Sequence, residues 1–228
     1  MRLYSIKAAT PIRVDYGTEL CAGMRAFPEI AGYEPAFASI NQGVRDAYED
    51  RRATRQPLLV TRFELRFGAY QARQALRAAA SAAEAADGGR RGAIFEVVFP
   101  DGLGPVVAPK GAMLAPPLEK VINDLSQSTL PSIDAYRNAW LPRLQAALDL
   151  LKQRAAAADA ARKAYVTAFR KELVLRREHR KAVERVMGFV RAEFPGDKAK
   201  QDLVFPEVDA EDDAEPAEEG ETPAPKPA

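Results

Sequence analysis

The stretch Arg143–Met187, RLQAALDLLKQRAAAADAARKAYVTAFRKELVLRREHRKAVERVM, runs for 45 residues without a glycine or a proline. It is rich in Ala, Leu, Arg and Lys, which are among the best helix formers. As one helix it would extend about 68 Å, at 1.5 Å per residue. A helix of that length gains little from propensity alone and needs a partner along most of its apolar face. The apolar residues Tyr136, Trp140, Leu144, Ala147, Leu151, Ala155, Ala158, Tyr165, Phe169 and Leu173 recur at steps of three and four, or multiples of them. The stripe resumes at Val183, Met187, Val190 and Phe194. This predicts a helix from about Ser132 to Phe194, stopped by Pro195-Gly196. Pro142 is expected to kink it.

The partner lies upstream. Phe37, Ile40, Val44 and Tyr48, then Leu59, Phe63, Phe67 and Tyr70, mark one helical face across residues 36–87. Pro57 interrupts this tract and Asp87-Gly88-Gly89 ends it. Folded as an antiparallel hairpin, the two tracts set small residues opposite large ones. Ala79, Ala82, Ala83 and Ala86 face Tyr136, Trp140 and Leu144, and Ala155–Ala158 face Phe67 and Tyr70. Leu151, Phe63, Phe67, Trp140, Tyr165 and Phe169 are the expected seam. A break at Ala155–Ala158, giving a compact bundle, is the rival, although alanine is a poor place to stop a helix.

Between the tracts, Ile94, Phe95, Val97, Val98 and Phe99 are strand formers, as are Val106 and Val107. Pro100-Asp101-Gly102 supplies a turn, so residues 92–108 read as a β-hairpin. Phe95 and Phe99 fall on one face of it. They are covered if the hairpin caps the helices, and form a partner patch if it projects. Residues 1–33 read as an irregular segment with short extended pieces around Pro11, punctuated by Gly17, Gly23, Pro28 and Gly32. The expected fold is mainly α: a long antiparallel, coiled-coil-like helical hairpin over 34–206, with a small β-hairpin insertion. An acidic Pro/Ala/Glu-rich tail, expected to be disordered, spans 207–228.

The net charge of +1 conceals a division. Residues 207–228 hold nine acids and one base, or −8, which leaves 32 bases and 23 acids in 1–206, or +9. The tail lacks large apolar residues from Asp209 onward and cannot bury enough surface to offset chain entropy. The basic side chains cluster at Arg170, Lys171, Arg176, Arg177, Arg180, Lys181 and Arg185, a surface suited to phosphates without reading bases.

Catalytic readings find little footing. His179 is the only histidine, stands among basic residues and reads as a solvated position on a helix. One histidine is too few for a ferritin-like di-metal bundle, and Cys21, the single cysteine, excludes an intrachain disulfide and a cysteine-rich zinc site. No phosphate-loop or dinucleotide fingerprint is present. No cofactor, membrane span or secretory signal is expected, and a cytoplasmic location follows from the reducing chemistry. The expectation is a non-enzymatic scaffold or interaction protein, with a protein partner or self-association. The alternative is a nucleic-acid-associated protein whose acidic tail is autoinhibitory.

Overall fold

The computed structural model describes residues 3–207, and the expectation for the acidic tail falls almost wholly outside them. Along the chain run α1 (Thr10–Ala26), α2 (Pro28–Ala31), α3 (Glu34–Ala86), α4 (Ala93–Val98), α5 (Leu103–Val107), α6 (Ala115–Gln127), α7 (Asp134–Glu193) and α8 (Lys198–Val204). Short 3₁₀ turns precede α6 and α7. Pro57 sits inside α3 and Pro142 inside α7, and neither ends its helix. The alanine run 155–158 does not break α7.

The described residues form two units. The first comprises residues 3–53 and 166–207, the second 54–165. Segments of α3 and α7 pack antiparallel within each. In the first unit Tyr33 stacks on Phe189, Phe37 meets His179 and Arg51 pairs with Glu172. In the second, Arg154 reaches Gln71 and the Tyr136 hydroxyl donates to the Ala79 carbonyl at 2.8 Å.

The first unit begins with a helix where irregular chain was expected. Pro11 stands in the first turn of α1, where a missing N–H costs nothing. The buried face of α1 includes Thr10, Arg13, Val14, Gly17, Leu20, Cys21 and Met24, at helical spacing. Three of those seven are polar, charged or glycine, so the period is geometric but not hydrophobic. The glycines admit neighbours. A Cβ on Gly17 would lie 2.3 Å from Asn41 Oδ1, and one on Gly23 would lie 2.2 Å from the Val204 carbonyl oxygen. The core of this unit joins Tyr4, Leu20, Met24, Ile30 and Phe37 to Val183, Val190, Phe194, Val204 and Phe205.

In the second unit the expected β-hairpin is replaced by α4 and α5, and no strand forms among the described residues. Ile94, Phe95, Val98 and Phe99 repeat at four residues, the period of a helix, and Pro100 ends the run. Local capping settles the competition. The Asp87 carboxylate accepts from the amides of Gly92, Ile94 and Phe95 at 2.9–3.1 Å, satisfying donors at the start of α4. Gly88 and Gly89, with φ of 84° and 86°, turn the chain so that Asp87 can do this. Arg73 then binds the carbonyls of Val107, the last residue of α5, and of Pro109 just after it. Phe95 and Phe99 are 3% and 1% exposed, inside a core with Leu76, Leu114, Leu118, Leu125, Ile133, Leu144 and Leu151. Phe95 and Phe99 therefore form no partner patch, and what covers them is a helical core rather than a hairpin capping the helices.

Candidate functional site

Two surfaces stand out, one in each unit. In the first, Leu173, Arg176, Arg177, Arg180 and Lys181 occupy successive turns on one face of α7. They line a cleft of about 420 Å³ together with Arg13 of α1 and Ile6. Five of its seven lining residues are cationic, and none is acidic. Four of the seven basic residues singled out from the sequence thus come together. Arg170 and Arg185 are exposed elsewhere on the helix, and Lys171 pairs with Asp50 at 3.0 Å. Arg13, hidden in a segment read as irregular, was missed.

The cations differ in what they are free to do. Arg13 donates to the Ala8 and Ile6 carbonyls, Arg176 to the Ala8 carbonyl at 2.9 Å, and Arg180 to the Tyr4 carbonyl and to Glu184. Arg13 thus ties residues 6–8 to α1, while Arg176 and Arg180 tie residues 4–8 to α7. Burial pulls the Arg13 guanidinium below its ordinary value, Tyr4 opposes this, and the charges of Arg176 and Arg180 add to it. Arg177 and Lys181 are exposed and take no ion-pair partner among the described residues. They are the charges best placed to meet an incoming anion.

Behind the cleft lies a closed polar network. His179 is 0% exposed, contrary to its reading as a solvated residue. The Tyr4 hydroxyl donates to His179 Nδ1 at 2.8 Å, and Nε2–H donates to Asn41 Oδ1 at 3.1 Å. Asn41 Nδ2 donates onward to the Val14 carbonyl, which fixes its Oδ1 as the acceptor and His179 as the Nε2–H tautomer. Burial, with the charge of Arg13 second, lowers the His179 pKa to about 4, so the ring is neutral. Glu172, also 0% exposed, accepts from Thr10 and pairs with Arg51 at 2.5 Å. Cys21 is buried, and burial raises its pKa to about 11, leaving an inert thiol. The ring nitrogens of His179 and the carboxylate oxygens of Glu172 already have protein partners. Among the described residues no group of three or more His, Cys, Asp or Glu could hold a metal ion, and no helix is long and apolar enough to cross a membrane.

The second surface lies on α3 in the second unit. Phe63 and Phe67, expected in the helix–helix seam, are 59% and 43% exposed, and Tyr70 is 54% exposed. Leu59 and Val60 are exposed beside them. The rings of Phe63 and Phe67 are nearly parallel, at 7° with centroids 6.2 Å apart, and Tyr70 follows at 6.4 Å. The Arg154 guanidinium lies 5.4 Å from the Phe67 ring centroid. The seam is built instead from Ala69, Ala72, Leu76, Ala79 and Ala83 of α3 against Leu144, Leu148 and Leu151 of α7. Alanines bring the backbones close, and the aromatic stripe turns outward. Trp140 is half-buried, stacked on Tyr136 with Arg143 over its ring. No known protein family, curated protein or solved structure matches this chain.

Proposed function

We propose that the protein is a non-enzymatic helical interaction protein whose binding surface is the outward face of α3 from Leu59 to Tyr70. The observation that carries this reading is the run of five large apolar side chains left to water on adjacent positions. Single exposed apolar residues such as Ile6, Met113 and Leu203 are ordinary on any surface, but a contiguous patch marks a contact site. Fully covering one Phe side chain is worth about 1.5–3 kcal/mol, so a partner seated on three rings and two aliphatic chains has ample driving force. The enclosed, neutral His179 further supports a role other than acid–base catalysis.

The test is the size of the native assembly. In extract of its own cells the full chain should run in a complex larger than the purified protein. A Phe63→Ser/Phe67→Ser variant, equally folded, should run as the purified protein does. Identical migration of both forms in extract and in isolation would sink the proposal.

A second reading has its own support in the five-cation cleft: nucleic-acid association through Arg177 and Lys181, restrained by the acidic tail. Titration with labelled single-stranded and duplex DNA at low and near-physiological salt tests it. Binding should weaken with salt and be abolished by Arg177→Glu/Lys181→Glu. Absence of binding at low salt removes this reading and leaves the first intact.

A further inference from the structure

The outward face of α3 carries a charge pattern that narrows its partner. Leu59, Phe63, Phe67 and Tyr70 succeed one another at four, four and three residues. One edge of the stripe is formed by Arg55, Arg62 and Arg66, all exposed and without an ion pair among the described residues. The other edge carries Glu64 and Gln71. Between Asp50 and Glu84 the chain has seven arginines and a single acid, Glu64. Whatever covers the stripe must bring both apolar side chains and negative charge.

Three occupants fit poorly. A second copy paired antiparallel about a two-fold axis sets each edge against the same edge of its partner, arginine against arginine. Paired parallel, it offers three arginines one acid. The chain's own residues 209–228 have the charge but no large apolar side chain, and would leave the stripe wet. A single nucleic-acid strand needs free ring faces on which bases stack. Here Arg154 lies against one face of Phe67, and Leu59 and Val60 give a base nothing to stack on.

We infer that this face docks an acidic amphipathic helix of another protein. Its apolar residues, spaced by three and four, pack on Leu59, Phe63, Phe67 and Tyr70 over about 17 Å. Its flanking carboxylates meet Arg55, Arg62 and Arg66. The inference rests on the interaction reading above and specifies the partner's chemistry.

Photo-crosslinking tests it in the full chain. Gln74 is exposed and one turn beyond Tyr70, so a benzophenone amino acid placed there leaves the stripe intact. Irradiated in its own cells, the protein should form an adduct whose crosslinked segment, read by mass spectrometry, bears apolar residues at helical spacing flanked by Asp and Glu. Arg62→Glu/Arg66→Glu, with unchanged helicity, should lower the yield about tenfold. An adduct with a second copy, with nucleic acid, or with a basic or uncharged segment overturns this inference and leaves the interaction reading standing. No adduct at all, together with no native complex by size, overturns both.

Discussion

His179 is held neutral by its surroundings, and that has a measurable consequence. Its pKa falls from 6.5 to about 4 on folding, so the unfolded chain binds the extra proton first. The stabilisation from this group is complete above pH 6.5 and is lost as pH falls through about 4. A difference of that size corresponds to about 3 kcal/mol. Urea unfolding at pH 7, 5.5 and 4.5 should show the decline, and His179→Gln should remove most of it at some cost in stability at pH 7. A wild-type stability flat across this interval would mean the ring is not enclosed as described. Gly17 gives a second test. Glycine-to-alanine inside a helix ordinarily gains about 0.5–1 kcal/mol. Here the added Cβ would sit 2.5 Å from Asn41 Cγ and 2.8 Å from His179 Nε2. Overpacking of that kind costs about 1–3 kcal/mol, so Gly17→Ala should lower the unfolding midpoint, and a raised midpoint would contradict the packing. Neither residue announced itself in the sequence. The segment 176–181 is polar on all sides, and only the carbonyls of residues 4–8 and the polar face of α1 explain why Arg176, Arg180 and His179 point inward.

At the scale of elements, legibility followed hydrophobic period. Helices α3 and α7 were readable because apolar residues repeat at three and four. Helix α1 was not, because its buried face includes Thr10, Arg13 and Gly17. Helices α4 and α5 were misread because β-branched composition outweighed spacing, although Ile94, Phe95, Val98 and Phe99 already kept helical time. The basic residues of the cleft were legible as a cluster, but its α1 wall was not. The aromatic face of α3 was visible as a stripe, yet which way it turned depended on Ala69, Ala72, Ala79 and Ala83 giving the closer contact. Two substitutions separate these surfaces. Phe95→Ala should destabilise by about 3–5 kcal/mol, as truncation of a core aromatic does. Phe63→Ala should change stability by no more than about 0.5 kcal/mol. Denaturant midpoints decide, and equal losses at both positions would place Phe63 back in a core.

Across the whole molecule, charge is divided between a +9 body and a −8 tail. Deleting residues 209–228 should leave helicity and the unfolding midpoint unchanged, because that segment has no large apolar residue to contribute. It should strengthen any polyanion binding at low salt, with the gain shrinking as the Debye length falls from about 30 Å at 0.01 M to about 8 Å at 0.15 M. A large loss of stability on deletion would mean the tail supports the fold. The proposed function requires that Phe63, Phe67 and Tyr70 form a surface for another molecule. Hydroxyl-radical footprinting, run on the purified chain and on the complex isolated from its own cells, tests that most directly. All three rings should oxidise readily in the purified chain and be protected severalfold in the complex, while Met113 and Leu203 react equally in both. Rings already protected in the isolated chain, or as reactive in the complex as outside it, would mean that this face of α3 is not a contact surface.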